Sequence, residues 1–330
     1  MGSARARYLV YFQYLGTGFN GVAAVRGAQR AVGVQNFLEE AAERLNSVEP
    51  VKFTISSRTD AGVHALSNAA HLDVLRRPGL PPFSAQVLAE ALNTHLRHPA
   101  IRVVKAFRVP DDFHARFAAT SRTYLYRLAT GCLRPGQLSL FERNLCWALR
   151  ADSLDVTAMR EAAGHLLGTH DFSAFQSAGS TAQSSVRTLR HISVFPSPAS
   201  PFVLPEESRK LQFWSLEFES QSFLYRQVGS ALVLRGRGCG GAKAPAADWA
   251  LGSQVRRMTA VLVAVGLGAL APTQVKAILE SRDPLGKHQK CVAPAHGLFL
   301  KSVLYRDLGK RRSLQSRAPQ ASRDEPPPPC

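Results

Sequence analysis

Acidic residues are scarce beside the basic ones in this sequence. Its 330 residues hold 24 Asp and Glu against 41 Lys and Arg, a formal net charge of +17. Such an excess calls for an anionic partner, most often nucleic acid. A membrane surface is the other anionic choice, but no basic amphipathic helix stands out to serve it. Cysteine is sparser still. The five (Cys132, Cys146, Cys239, Cys291, Cys330) are scattered, odd in number and free of any CxxC pair. That speaks against a disulfide scaffold or a zinc site and for a reducing compartment. Long apolar runs are also missing, and Val261–Leu270 is too short to cross a bilayer. The strand-like "YLVYFQYLG" begins at Tyr8 and leaves no room for a signal peptide. "MGSARA" lacks the Ser or Thr of a myristoylation signal. The first acid is Glu39, preceded by Arg5, Arg7, Arg26 and Arg30, a faint organellar signature. No short-period repeat is visible.

What is present reads as α+β. Val34, Phe37, Leu38, Ala41, Ala42 and Leu45 fall at helical spacing, as do Val87, Leu88, Ala91 and Leu92, and Met159, Ala162, Ala163 and Leu166. Ile101, Val103, Phe107 and Val109 alternate as a strand does, and so do Trp214, Leu216 and Phe218. "RTYLYRLAT", Arg122–Thr130, is another strand. Helices and strands come in mixed order with antiparallel-looking alternation, so a doubly wound parallel sheet is not expected. Two similar halves are, residues 1–117 and 118–305, joined near Pro110–Thr120. The tail 306–330 is polar and proline-ended, and it is expected to stay disordered. Its Lys310, Arg311 and Arg312 could add a loose phosphate contact, although a solvated tail without a role is the simpler expectation.

The segment that carries chemistry is "SSRTDAGVHAL", Ser56–Leu66. A lone Asp in a loop is usually a turn former or a cap. Asp60, however, follows the strand-like "VKFTIS" and precedes Gly62, so it stands where a strand ends and the backbone turns. A nearby cation would keep such a carboxylate ionised and directed, which a nucleophile requires. Asp60, His64 and His71 fit no metal-ligand spacing, His114 reads as ordering a loop, and His170 with Asp171 as capping a helix end. Trp147 and Trp214 read as core.

Further blocks follow in order: "DDFHARF", "TSRTYLYRL", "LLGTHDFSAF", "SFLYRQV" and "APAHGLFLKSVLY". Together with RTDAGVHA they resemble the TruA family of tRNA pseudouridine synthases from Tyr8 to Tyr305, and within it an animal branch placed in mitochondria. The resemblance implies isomerisation of uridine to pseudouridine in tRNA, with no cofactor and no metal. It implies two α/β-sandwich halves whose antiparallel sheets join into one extended sheet beside a basic cleft, and a homodimer holding one tRNA. By matching motif, Asp60 is the nucleophile, attacking C6 of the uracil or C1′ of the ribose. Arg58 and Thr59 contact the substrate, and Arg58 helps move the target base out of its stack. Tyr124 stacks on that base and could assist proton removal, and Leu298 lines the uracil pocket. From the charge pattern, Arg116, Arg122 and Arg127 are candidate phosphate contacts, though each alone is more often a surface ion-pair residue.

Two stretches depart from the pattern. Near the N-terminus "YLGTGFNGVAA", Tyr14–Ala24, lacks the family's acid, Trp and Gln. More seriously, the family strand "FLYxxV" runs straight into a helix opening with the arginine that pairs with the catalytic aspartate. Here Gly229 follows Val228, and "RRMTAVLVAVG" resumes only at Arg256. Gln-Val precedes both positions, so removing residues 229–255 restores "FLYRQVRRMTAV". The insert reads as a retained intron or extended gene model, with a genuine RNA-binding loop through Arg235, Arg237 and Lys243 as the alternative. It is expected to impair this chain if it displaces Arg256 from Asp60. The rival to an active enzyme is therefore a weak or silent TruA-like RNA-binding protein. A hydrolase built on one Asp finds no second carboxylate at a useful spacing.

Overall fold

The computed structural model describes residues 5–25, 27, 32–132, 138–176, 184–198, 211–224, 254–283, 286 and 291–306. Among the described residues ten strands build one sheet: β1 (Arg5–Tyr14), β2 (Thr54–Ile55), β3 (His64–Leu75), β4 (Ile101–Val109), β5 (Ala119–Thr130), β6 (Trp147–Ala148), β7 (Gly168–Asp171), β8 (Val186–Pro196), β9 (Gln212–Ser220) and β10 (Leu298–Tyr305). The spatial order is β4-β1-β3-β10-β5-β9-β8-β7, with β2 pairing β3 and β6 pairing β5. The described helices are α1 (Val34–Glu43), α2 (Ala85–Leu96), α3 (Val156–Gly164), α4 (Gln254–Gly266) and α5 (Pro272–Ser281).

The helices form where apolar spacing and caps coincide. Val34, Leu38, Ala41 and Ala42 are the buried stripe of α1. The Asn36 side chain accepts from the Gly33 amide (3.0 Å), the return half of a capping contact. In α2, Leu88, Leu92 and Leu96 recur at every fourth residue, and Ser84 Oγ accepts from the Val87 amide. Asp155 caps α3 through the Ala158 amide. Helix α4 differs, because nearly every residue from Gln254 to Gly266 is buried. It runs through the interior and packs on α3, where a Cβ on Gly266 would lie 2.6 Å from the Met159 sulfur.

The sheet is mixed, which corrects the expectation of an antiparallel join. The last strand, β10, returns between β3 and β5 and pairs with β3 in parallel (Phe299 opposite His64, Leu300 opposite Ala65). It pairs with β5 antiparallel. A hairpin forces antiparallel pairing only on strands it connects, and more than 200 residues separate β3 from β10. Residues 110–118 form the turn between β4 and β5. His170 and Asp171 lie in β7 and cap no α-helix; Asp171 instead accepts from the Ser173 amide at a following turn. Trp147 and Trp214 are partly buried at the edge of the core. The tail beyond Arg306, and the insert apart from Gln254 and Val255, lie outside the described residues.

Candidate active site

Asp60 sits in the loop between β2 and β3, and that loop is fastened on every side. The Ser56 amide donates to Ala69 O (2.8 Å) and Asn68 Nδ2 donates to Ser57 O (2.8 Å). Gly62 takes φ +76°, where a side chain would be strained, and the Val63 amide turns back to Asp60 O. From below, Gly21 presses on the loop: the Val22 amide donates to Thr59 O, and a Cβ on Gly21 would lie 2.6 Å from that oxygen. The "YLGTGFNGVAA" block therefore backs the loop despite its departures from the family pattern.

His64 anchors the other end. It is fully buried, its Nδ1 accepts from the Gly16 amide (2.9 Å), and Nε2 faces the carbonyls of Asn144 (3.0 Å) and His296 (3.1 Å). Nε2 therefore carries the proton in a neutral ring. His71 is also buried, and its Nδ1 accepts from the Ala115 amide. Burial pushes both imidazoles down to about 4, for His71 with help from the Arg7 charge. Both folded values lie below the ordinary histidine range. Between that range and about 4, the unfolded chain therefore binds protons that the folded chain does not, and stability falls on acidification. The melting temperature should drop between about pH 7 and about pH 5. A flat profile across that window would contradict the neutral assignment.

Arg256 meets Asp60. Its Nη1 lies 3.5 Å from Asp60 Oδ2, with side-chain exposures of 2% and 9%. The guanidinium is aimed by α4 and by a bond from Nε to Ala293 O (2.7 Å), while the Ala293 amide donates to Arg256 O (3.2 Å). Arg257 is buried beside it. Desolvation and the adjacent Arg256 charge hold it down to about 10, opposed by Asp60. This second cation in the field of Asp60 was not singled out from sequence, because burial of both neighbours follows only from the all-round burial of α4. The displacement expected from the insert is not observed. The Leu224 amide donates to Gln254 Oε1 (2.9 Å), so the chain before the insert meets the insert's own last residues. Gln227, three residues after Leu224, could make this contact locally if residues 229–255 were absent.

Asp60 opens into a cleft of about 1080 Å³, lined among others by Arg58, Arg116, Arg122, Tyr124, Arg187 and Leu298. Asp60 is the sole carboxylate among its described lining residues. Arg58 and Arg116 are exposed there. Tyr124 is buried with its ring set edge-on against Phe223 (5.1 Å), and Leu298 is buried at the cleft floor, where β10 begins. Two expected substrate contacts serve other ends. Thr59 is buried and its hydroxyl is hydrogen-bonded to the Tyr14 hydroxyl (2.8 Å), so it holds the loop. Arg122 is 7% exposed, bonded to Ser57 Oγ (2.8 Å), Ser56 O, Arg116 O (2.9 Å) and Gln221 O. It clamps the two halves behind the catalytic loop and is no surface contact for phosphate. Arg127 is likewise engaged, by Glu142 at 2.9 Å.

A family profile described as tRNA pseudouridine synthase matches residues 10–118, 162–236 and 250–306. The chain belongs to the tRNA pseudouridine synthase family. It is 75% identical over 308 residues to tRNA pseudouridine synthase-like 1 of Homo sapiens, covering 93% of each chain. To the mouse protein of that name it is 72% identical over 309 residues, covering 94% of this chain and 97% of the other. To tRNA pseudouridine synthase A of Maricaulis maris it is 36% identical over 301 residues, 91% of this chain and 98% of that one. The matched stretches include the Asp60 loop and α4.

Proposed function

We propose that this chain isomerises uridine to pseudouridine in tRNA with Asp60 as the nucleophile. The observation that carries it is the sole carboxylate among the described residues of a basic cleft, set against a buried arginine at 3.5 Å. A nucleophilic carboxylate must stay ionised and aimed while partly removed from water, and Arg256 supplies both conditions. Asp60 adds to C6 of the uracil or C1′ of the ribose. The C1′–N1 bond breaks, the base turns and C5 bonds to C1′; the C5 proton leaves, N1 gains one, and the bond to Asp60 breaks (displaced by C5 if it was to C1′, eliminated if it was to C6), which restores the carboxylate. Tyr124 and Leu298 bound the base, and Arg58 enters the space the extruded base vacates. After incubation of tRNA with the chain, nucleoside chromatography should show pseudouridine gained and uridine lost in equal amounts. Unchanged nucleosides would shift the reading to an RNA-binding protein without activity.

The insert bears on that alternative. A misplacement of about 1 Å can cost on the order of 100-fold in rate. Because Arg256 reaches Asp60 in the full chain, deletion of residues 229–255 should change the initial rate by less than about tenfold. A much larger gain on deletion would mean that the insert disturbs the cleft. We further place the enzyme in mitochondria as a homodimer. The arginine-bearing, acid-free stretch before Glu39 supports the first, and the family resemblance supports both. Import of the tagged chain into isolated mitochondria, and sedimentation with and without tRNA, test the two separately.

A further inference from the structure

Phe117 turns its ring to solvent and not to the core. It is 73% exposed, the most exposed large hydrophobic side chain among the described residues. Yet it lines the cleft that holds Asp60, beside Arg116. An exposed phenyl ring on a loose loop would be unremarkable, but this loop is pinned. Arg7 Nη1 donates to Phe113 O (3.0 Å), and Ser56 Oγ and the Tyr305 hydroxyl both donate to Ala115 O (2.8 and 2.7 Å). Arg122 holds Arg116 O, and the amides of Phe117 and Ala118 both turn back to His114 O. The ring is also backed. Its centre lies 4.3 Å from the His114 ring at 31°, and His114 in turn lies 4.9 Å from the buried His71 ring. The Arg116 guanidinium lies 5.8 Å from the phenyl centre.

A series of rings therefore rises from the sheet through His71 and His114 and ends on Phe117 at solvent. We propose that Phe117 is a stacking platform for an unpaired tRNA nucleobase at the mouth of the cleft, which rests on the tRNA reading above. Unstacked bases are held on aromatic faces, while nearby cations track the strand's phosphates. The cleft supplies Arg58, Arg116 and Arg187 for that second task. Arg187 is half-buried, and its Nε has no hydrogen-bond partner among the described residues. The ordering of the loop before binding lowers the entropy lost on association. A neutral or cationic protein partner would meet mostly arginine around this ring.

The test is affinity of the full chain for fluorescently labelled tRNA at several salt concentrations. Phe117→Ala should weaken binding by roughly 5- to 150-fold, the range for loss of one base–aromatic stack. Phe117→Trp should retain affinity, and Phe117→Leu, apolar but without a ring, should be as weak as the alanine variant. The slope of log affinity on log salt should be unchanged in Phe117→Ala and shallower by about 0.7 in Arg116→Ala. Melting temperatures should stay at the parent value, since the ring covers no core. Parent affinity in Phe117→Ala, or recovery in Phe117→Leu, overturns the proposal. Absence of tRNA binding by every form, including the parent, would instead bring down the tRNA reading on which it stands.

Discussion

Asp60→Asn should bind tRNA at least as tightly as the parent chain and make no pseudouridine. The substitution keeps shape and removes only the charge. Loss of a nucleophile costs at least about 10⁴-fold in rate where it has been measured in other enzymes. Binding should survive because Asp60 is the one anion among the described residues of a cleft that otherwise presents arginines to RNA. Asp60→Glu is the sharper variant. It keeps the charge and moves the oxygens by about 1 Å, which should cost on the order of 100-fold. Filter binding and nucleoside chromatography on the same preparations read the two effects apart. A fully active Asp60→Asn would exclude the carboxylate from the reaction.

The second large effect is expected at Arg256. Arg256→Met removes the guanidinium that lies 3.5 Å from Asp60 and takes the Nε donor from Ala293 O. Breaking a buried pair by removing one partner costs about 3–5 kcal/mol of stability. The rate should fall by about 10²- to 10³-fold, the scale for losing one preorganised electrostatic group. The double variant Asp60→Asn with Arg256→Met should recover much of that stability and none of the activity. Denaturant melts of the parent, both single variants and the double close the cycle. Additive stability losses would mean that the two side chains do not interact across 3.5 Å.

Much of this site could be read along the chain because its signals are local. Asp60 before a glycine turn, and the apolar stripe of α1, follow from spacing alone. The family resemblance implies an arginine partner for Asp60, and the Gln-Val repeated before Gly229 and before Arg256 places that partner at Arg256. What was not legible depends on contacts made far along the chain. The parallel join of β10 to β3 brings together strands from the two halves, and no periodicity within either reports it. Arg122 looks like any surface arginine on a strand. Its burial follows from β5 passing behind Ser56 and Ser57, so that its donors are used before RNA arrives. Thr59 is lost to substrate by the same cause, because Tyr14 reaches it across β1 and β3. Phe117 closes the charged block "DDFHARF", and its exposure emerges only once the loop is folded.

The central claim is that the Asp60–Arg256 pair performs the isomerisation in this chain, insert included. Formation of the C5–C1′ bond displaces the hydrogen on C5, so release of tritium from tRNA carrying 5-tritiated uridine reports the chemical step itself. A mixed pool of mitochondrial and cytosolic tRNA leaves the target position open. The account predicts steady release by the full chain and none by Asp60→Asn in the same background. Equal release from both, or none from either, would contradict it.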